Sequence, residues 1–565
     1  MTKSKKNYSR LEKFSRLYEC ASLAYEETLD GMDRSLEQYR GSNVIDGGLE
    51  NATAVRNITY ELIESAISSD IPYAKVSAES YSERGEMLSQ AVERLLYTTR
   101  ERLPLDEIND TDERCTYIFG GSILFVEWVR SQDGRGDGEI RIRQISPRDF
   151  VPEPGITRLE DMSYCFLKFT TNKGELISKY GASEDEIHLA SYGFRWGEAA
   201  SLDDTVNVII TFYKDEHGVV GRFVFSGDLV LSDEPDYYGA YQRSSENENK
   251  NPDYENICLQ NTDGTENTIR IKKYKPREFP LVLRKNISSD GALMGISDAD
   301  VLRPTQQAIN KVESRIMQKL LRAGVTPIMP EDASVSLSNA IFGQVIKIKA
   351  GESASQYGTV DTTPDISQDI AEADRLYDQA KRLVGISDAY QGIDLNKVES
   401  GYAKSLRIRQ AEGRLESKRR MKYIAYEQLY KLIFQHYLAF SRNTRSLVYK
   451  DGFGTVQDQR FDKRDFIQIN EEGEYYYFDK LVFAVDTELF EEYQREAIWE
   501  KNLENLKSGT LGDMNNPKTL LRYWQFQQRA HYPNAKENVE YFKRILARED
   551  ESINENTENG GKCYE

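Results

Sequence analysis

The segment Ser400–Tyr423 concentrates positive charge in a chain that is acidic overall. It reads SGYAKSLRIRQAEGRLESKRRMKY, while the 565 residues together carry a formal net charge of −19. Its helical pattern persists to about Phe440, and on a helical wheel five cations share a stripe roughly 80° wide. We call these five residues the basic stripe: Lys404, Arg407, Arg414, Lys418 and Lys422.

A row of cations on one helix face is compatible with three roles. It can bind phosphates, with an attraction that is strong, salt-dependent and blind to sequence. It can pair with the acidic surface of a neighbouring subunit, or it can face water as a solvated helix. Farther along, the same side becomes apolar through Met421, Ala425 and Leu429. The second half of the helix is therefore predicted to anchor in a hydrophobic core.

The segment directly before the basic stripe, residues 386–402, is a glycine-containing loop. Gly392 and Gly401 give its backbone freedom, and Lys397 lies near its middle. The loop is longer than most plain connectors between helices. It is therefore either a connector or a moving contact element.

Motifs for catalysis are missing from the sequence. A nucleic-acid motor needs a phosphate cradle of the form GxxxxGK[ST], and GGSIL at 120–124 has no Lys–Ser/Thr partner. Asp298 and Asp300 are able to bind a metal, but helix capping beside Ser297 is the simpler interpretation. There is no GxSxG nucleophile elbow and no HExxH spacing among the four histidines. We predict no enzyme activity, no catalytic residue, no cofactor and no metal site.

Composition predicts a folded protein in a reducing compartment. With 39% hydrophobic and 30% charged residues, the chain suits a globular body rather than wholesale disorder. The five cysteines are scattered and never form a CxxC pair, which argues against a disulfide framework and a zinc site. No run of about 18 apolar residues occurs, so no membrane span is expected. The N-terminal segment lacks the apolar core of a secretory signal.

Hydrophobic periodicity predicts helices in the first hundred residues and strands after them. Residues 9–40, 54–67 and 84–103 repeat apolar residues at helical spacing. From about residue 112 short β-rich runs follow, and they begin with CTYIFGGSILFVEWV. Residues 234–267 are polar and are predicted to form a mobile loop or insertion.

A helix, a small β region and a second helix are predicted before the glycine-containing loop. Ser297 predicts the N-terminal cap of the first helix, and Pro304 either opens this helix or kinks it. Residues 325–362 turn β-like, and a second helix follows at 367–384.

This order of elements resembles the portal proteins of tailed bacteriophages. GISDADVLRPTQQAINKVES resembles the start of the family's first stem helix, and AYQGIDLNKVESGYAKSLRIRQAEGRLESKRR resembles its tunnel loop and the start of its long helix. SGTLGDMNNPKTLLRYW resembles its C-terminal region. The resemblance covers roughly residues 50–545 and implies an α+β portal-type fold that assembles into a ring.

The resemblance divides the chain into regions with named roles. The regions are an N-terminal helical arm of unknown role (1–50), an α/β wing (51–296) that contains the polar insertion, a first stem helix (297–324), a clip (325–362), a second stem helix (363–385), a tunnel loop (386–402), the long helix with the remaining wing strands (403–486), a helical crown (487–548) and a disordered tail (549–565). The tunnel loop is expected to project into a central channel. Its candidate channel-facing residues are Asp388, Gln391, Asp394, Asn396, Lys397 and Glu399.

For function the resemblance implies a structural role in the virion. About twelve copies are expected to form a ring at one capsid vertex, assembled in the host cytoplasm, and double-stranded DNA passes through it without sequence-specific contacts. The implied protein partners are the terminase packaging motor, the head–tail adaptor, the major capsid protein and a scaffolding protein. Acidic subunits repel DNA and keep the channel slippery. We therefore expect Lys397 to face the channel and most of the basic stripe to lie between subunits.

Two rival classes share some of these features. A nucleic-acid-processing enzyme of the packaging machinery cleaves DNA or hydrolyses ATP, activities for which the sequence carries no motif. Another structural ring or collar protein shares the acidic charge but does not need the helix–clip–helix–loop–long-helix order. Imaging of the assembly separates the classes, because a ring with an axial hole near the width of DNA favours the portal.

Overall fold

The structure is a computed structural model that describes most of the chain. The described residues are 2–42, 55–79, 82–129, 137–181, 205–240, 253–260, 266–321, 325–328, 336–340, 343–347, 358–361, 364–386, 413–450, 456–470, 472–485, 492–529, 532, 535 and 537–546. The predicted disordered tail lies outside them.

Helices and strands combine in a mixed α+β fold. The helices are α1 (Thr2–Arg40), α2 (Ile58–Ala66), α3 (Glu83–Arg102), α4 (Leu105–Phe119), α5 (Lys173–Tyr180), α6 (Tyr237–Ala240), α7 (Asp298–Leu321), α8 (Ser367–Val384), α9 (Gly413–Phe440), α10 (Glu492–Lys507) and α11 (Pro517–Arg529), and residues 537–546 are also helical. The strands are β1 (Ala74–Ala78), β2 (Gly121–Val129), β3 (Glu139–Ile145), β4 (Phe150–Pro152), β5 (Tyr164–Asn172), β6 (Thr205–Lys214), β7 (Val220–Ser226), β8 (Leu229–Glu234), β9 (Tyr254–Gln260), β10 (Glu266–Lys272), β11 (Leu281–Lys285), β12 (Val325–Ile328), β13 (Ser336–Ala340), β14 (Gly343–Lys347), β15 (Gly358–Asp361), β16 (Arg445–Lys450), β17 (Val456–Phe461), β18 (Ile467–Ile469), β19 (Tyr475–Tyr477) and β20 (Leu481–Val485). Among the described helices, none has the length and apolar character needed to cross a bilayer.

Two antiparallel sheets form the centre of the molecule. Strands β4 to β8 make a five-stranded meander in chain order, and β11, β2 and β3 make a three-stranded sheet with β2 in the middle. Every residue of β2 except the last is buried, so both faces of the smaller sheet are covered. Phe125 of β2 contacts Phe212 of β6 with ring centroids 5.7 Å apart. The two sheets therefore share one hydrophobic core.

Helix α9 anchors in this core through its second half, as its apolar side predicts. Most residues from Ala425 to Phe440 are buried, and the helix packs on β2, β11 and β20. Trp128 of β2 lies against Tyr437 and Phe440, with ring centroids 5.6 Å apart in both pairs. Strand β20 also pairs with β1, which fastens the two strands beside the helix.

Helix α1 packs on one face of the five-stranded sheet. Phe14 lies between Tyr213 and Phe223, with ring centroids 5.0 Å from each. Arg10 forms an ion pair with Asp233 of β8 at 2.6 Å. The N-terminal helix is therefore part of the folded body.

Helices α7 and α8 pack along each other, and we call them the helix pair. Ser297 caps α7 as predicted, because its Oγ accepts a hydrogen bond from the backbone N–H of Asp300 at 2.9 Å. Pro304 lies inside α7, so it does not open the helix. Between the two helices, β12 pairs with β15 and β13 pairs with β14. Gly385 caps the C-terminus of α8, and its φ of +83° favours glycine.

One predicted β-rich run begins with a helix. Residues 112–119 form the second half of α4, and the strand begins only at Gly121. The helical period is hidden in the sequence because Asn109, Asp112 and Glu113 occupy positions on the buried face of α4 where apolar residues are expected. The prediction of strand for this stretch is therefore wrong.

Within the predicted polar insertion, 234–267, the structure describes residues 234–240, 253–260 and 266–267, and these are ordered. Tyr237 and Tyr238 are fully buried, and β9 pairs with β10 as an antiparallel hairpin. Ile257 and Ile271 of this hairpin pack with Tyr477. The interpretation as a purely mobile loop is wrong for these residues, because enough apolar side chains are spaced along it to build a small core.

Candidate functional site

Two residues of the basic stripe, Lys418 and Lys422, lie in the first part of α9 and are buried in the folded protein. Lys418 and Lys422 are only 5% and 2% exposed. A cation in the interior has lost its water and needs a partner that offsets this loss. Both lysines have such partners within the same chain.

Lys418 is held at the start of α7. Its Nζ donates to Oδ2 of Asp298 at 2.5 Å, and Nδ2 of Asn286 donates to the other carboxylate oxygen at 3.2 Å. Asp298 is in the first turn of α7, where the helix dipole favours a negative charge. Lys418 also lies 5.1 Å from the ring centroid of Tyr117 on α4. The start of α9 is therefore fastened to the start of α7.

Lys422, one turn farther along α9, is held by α4. Its Nζ lies 2.9 Å from Oε1 of Glu113, and the same oxygen lies 2.8 Å from the guanidinium of Arg284 on β11. Arg284 in turn donates to Asp112 at 2.5 Å. Burial raises the pKa of Glu113, but the two cations outweigh burial and hold that pKa below its usual value. Burial also lowers the pKa of Lys422 against the attraction of Glu113.

These residues form a balanced set of charges that we call the charged junction. Its members are three acids and three bases: Asp112, Glu113, Asp298, Arg284, Lys418 and Lys422. Their formal charges cancel, and each residue is at most 5% exposed. Removal of one partner from a buried ion pair costs about 3–5 kcal/mol, because the remaining charge is left uncompensated. The charged junction thus makes α4, β11, α7 and α9 depend on one another.

The predicted role of the basic stripe is therefore wrong for Lys418 and Lys422. Neither residue faces DNA or a neighbouring subunit, because both are enclosed by acidic partners of their own chain. Sequence reasoning recognised that the charge needs acidic partners but placed them on another subunit. Lys404 and Arg407 lie outside the described residues, and so does the side chain of Arg414.

Sequence reasoning missed Asp112, Glu113 and Arg284 as members of a site. A signal for each was present. The acids lie in LDEINDTDERCTYIF at helical spacing from Leu105, and Arg284 directly follows the apolar run FPLVL. A charge inside a run that is otherwise typical of a buried element predicts a buried counter-charge.

The predicted tunnel-loop site lies outside the described part of the chain. This holds for all six candidates: Asp388, Gln391, Asp394, Asn396, Lys397 and Glu399. The elements on either side are described, since α8 ends at Val384 and α9 is described from Gly413. Val384 is buried, and so is Leu415 near the start of α9. The segment therefore connects two helices that are anchored in the core. In the chain it is followed by the part of α9 that carries Lys418.

Charged contacts also join the helix pair, but nearer the surface. Arg315 and Lys319, near the end of α7, both contact Asp369 in the first turn of α8. Because the end of α7 contacts the start of α8, the two helices run antiparallel. The side chains of Arg315 and Lys319 are 54% and 37% exposed. The hydrogen bond from Lys319 lowers the pKa of Asp369.

Apolar side chains of the helix pair are exposed to solvent. Met317 and Leu320 of α7 and Ile370 and Leu383 of α8 are between 38% and 48% exposed. Single exposed apolar residues are common in proteins. Several on one pair of helices mark a surface suited to contact with another molecule.

Comparison with known protein families finds a match over most of the chain. The family model described as phage SU10 portal protein matches residues 77–467. This range includes the charged junction, the helix pair and α9. A search of curated proteins finds no match.

Proposed function

The chain belongs to the phage SU10 portal protein family, and on that premise we propose that its copies form a ring through which double-stranded DNA enters and leaves the capsid. The family is structural, and a portal protein is a component of the phage particle. In the proposed assembly about twelve subunits occupy one capsid vertex. The ring provides a passive channel and a docking platform for the terminase motor and the head–tail adaptor. The major capsid protein and a scaffolding protein contact its periphery.

The observation that carries this proposal is the antiparallel helix pair with paired strands between its members. Leu302 and Ile309 in the first half of α7 are fully buried, whereas Met317 and Leu320 near its end are 42% and 48% exposed. The pair is therefore rooted in the core at one end and exposed at the other. This arrangement supports the assignment of α7 and α8 as stem helices and of the strands β12–β15 as the clip. The exposed apolar residues are then available for contacts between subunits.

The distribution of charge supports a channel that does not hold DNA tightly. Each subunit carries a formal charge of −19, so a ring of them repels a duplex at long range. Lys418 and Lys422 are withdrawn from contact with phosphates, because the charged junction encloses them. We therefore assign the DNA contact to the tunnel loop, with Lys397 facing the channel, and assign Lys404 and Arg407 to contacts between subunits.

Imaging of the purified full-length chain tests the proposal. Rotationally averaged negative-stain images are expected to show a ring of about twelve subunits with an axial hole as wide as a DNA duplex. A filament, an oligomer without a hole, or a monomer at every concentration contradicts the proposal.

A charge reversal in the tunnel loop tests the assignment of the DNA contact. Lys397→Glu is expected to impair DNA packaging while ring formation stays intact, since it adds repulsion to the channel without touching a described contact. Lys75→Glu, at an exposed lysine of β1, is the matched control and is expected to change neither property. Lost ring assembly in a normally folded Lys397→Glu subunit would instead identify the loop as an interface.

A further inference from the structure

A groove lies on the surface between the edge of β11 and the solvent side of α9, and we call it the basic groove. It encloses about 700 Å³. Met421, Ile424 and Gln428 of α9 line one wall, and Leu283 and Lys285 of β11 line the other. Ile424 is 39% exposed, so the wall formed by α9 offers apolar surface. No part of the charged junction belongs to this lining.

Strand β11 presents a free edge to the basic groove. It is the outer strand of its sheet, whose order is β11-β2-β3. The backbone of Pro280 and Asn286, on either side of the strand, bonds toward β2. Because bonding direction alternates along an antiparallel strand, the N–H and C=O groups of Leu283 and Lys285 point away from β2. Within the part of the chain that the structure describes, no hydrogen bond reaches these outward groups.

The rim of the basic groove is cationic in a chain that is otherwise acidic. Its lining contains five bases and two acids: Arg158, Lys214, Arg277, Lys285, Lys431, Glu160 and Glu278. Glu278 is engaged by Lys431 at 2.7 Å. Burial and the nearby charge of Arg158 lower the pKa of Lys285. The groove therefore holds more positive charge than its own acids balance.

We infer that the basic groove docks an extended, acidic segment of a second copy of this chain, which joins β11 as an additional strand. The free edge supplies backbone hydrogen bonds, Met421 and Ile424 on the solvent side of α9 contact alternate side chains of the segment, and the cations of the rim pair with carboxylates. Each copy carries a formal charge of −19, so a neighbouring subunit has the complementary charge. The inference rests on the proposed function, since a ring keeps that neighbour beside the groove. The docked segment also covers the exposed edge of β11, and proteins generally protect such edges from unwanted pairing.

Two proline variants test the addition of a strand. Leu283→Pro removes an N–H that points out of the sheet, so the subunit is expected to fold while the concentration needed for half-maximal ring assembly rises about tenfold. Val282→Pro is the control for direction, because it removes an N–H that bonds to β2 and is expected to lower the melting temperature of the subunit. Mass photometry measures assembly. A folded Leu283→Pro subunit that assembles like the wild type overturns the inference.

A second variant, which reverses two charges of the groove, tests the inference independently if the proline variant does not fold. Arg158→Glu combined with Lys285→Glu is expected to raise the same concentration about tenfold in low salt and less in high salt, because salt screens the new repulsion. Lys75→Glu, outside the groove, is the matched control. Unchanged assembly of the double variant overturns the inference.

A photo-crosslinking amino acid at position Gln428 identifies the occupant of the groove. Irradiated rings are expected to give a crosslinked dimer of the chain, with the crosslink mapped by mass spectrometry to an acidic segment. The same protein diluted to monomers is the control and is expected to give no dimer. Intact rings without this crosslink, or with a crosslink to a different protein only, overturn the inference and leave the proposed function standing. A wild-type chain that forms no ring overturns the proposed function itself.

Discussion

The charged junction and the helix pair both join helices through contacts between lysine and aspartate, but at different depths. The side chains of Lys418 and Asp298 are 5% and 2% exposed. In the helix pair Asp369 is also buried, at 6% exposed, but its partner Lys319 is 37% exposed. A buried pair has lost its hydration, so each charge depends on the other. A pair with one exposed partner keeps part of that partner's water and is more open to screening by salt. The comparison indicates that buried charge in this protein secures the fold of one subunit, while the exposed helix pair remains available to other subunits.

Removal of an acid from the charged junction is expected to have the largest effect. Glu113→Ala leaves Arg284 and Lys422 buried with one partner fewer, so the free energy of unfolding should fall by about 3–5 kcal/mol. Urea denaturation of dilute subunits, followed by circular dichroism, measures this change. Glu107→Ala, on the exposed side of the same helix, is the matched control and should change it by less than about 0.5 kcal/mol. Equal losses of stability at both positions would contradict the conclusion that the buried acid stabilises the fold more than the exposed one.

The pH dependence of stability tests whether burial also matters for a side chain that is neutral in the folded state. His436 of α9 is fully buried, and burial lowers the pKa of its imidazole from 6.5 to about 4. Below the unfolded value the unfolded chain binds a proton that the folded chain does not. The stability is therefore fully present above about pH 6.5 and falls by about 3 kcal/mol as the pH drops through about 4.

The matched variant is His436→Phe, which keeps a ring beside Tyr238 and Phe440. Its free energy of unfolding should decrease less than that of the wild type between about pH 7 and pH 4, since it cannot bind the proton. The variant also loses the contact between Nδ1 of His436 and the carbonyl of Leu432. This loss lowers the free energy of unfolding by the same amount at every pH, so it does not affect the slope against pH. Identical slopes for the two proteins would contradict the expectation.

Double-mutant cycles sharpen the comparison by measuring one pair in each region. Lys418→Met, Asp298→Asn and their combination should give a coupling energy of about 1.5 kcal/mol or more. Lys319→Met, Asp369→Asn and their combination should give a smaller coupling that decreases further when salt is added. A coupling in the helix pair as large as that in the charged junction, and insensitive to salt, would break the comparison.

The smallest effect on subunit stability is expected on the exposed side of the helix pair. Leu320 is 48% exposed, so Leu320→Ser should change the free energy of unfolding by less than about 0.5 kcal/mol while it weakens ring assembly. Met87→Ser, at a methionine of α3 that is 68% exposed, is the matched control and should leave both properties unchanged. Thermal unfolding and mass photometry measure the two quantities. A loss of stability comparable to that of Glu113→Ala would show that Leu320 belongs to the core.

Local chemistry explains why much of the element order is predictable from the sequence. The helices α1, α2 and α3 show their period because their buried faces are largely apolar. Ser297 and Gly385 mark a helix start and a helix end, since a cap depends on one side chain or one backbone conformation. The family resemblance follows from the same order of elements.

The charged junction is not predictable in this way. Asp112 meets Arg284, and Asp298 meets Lys418, only after elements far apart in the chain have packed together. Polar residues on the buried face of α4 also hide its helical period, and this is why the end of that helix is read as strand. A single sequence indicates that these charges need partners, but tertiary packing decides which partners they obtain.

The pairing of β1 with β20 has a consequence for the order of events during synthesis. Ala74 lies opposite Val485, so roughly 400 residues must leave the ribosome before the strands meet. Until then β1 is an unpaired strand that other chains are able to bind. A nascent polypeptide therefore completes this ladder late in translation, and half-made molecules lack a finished surface with which to join their neighbours.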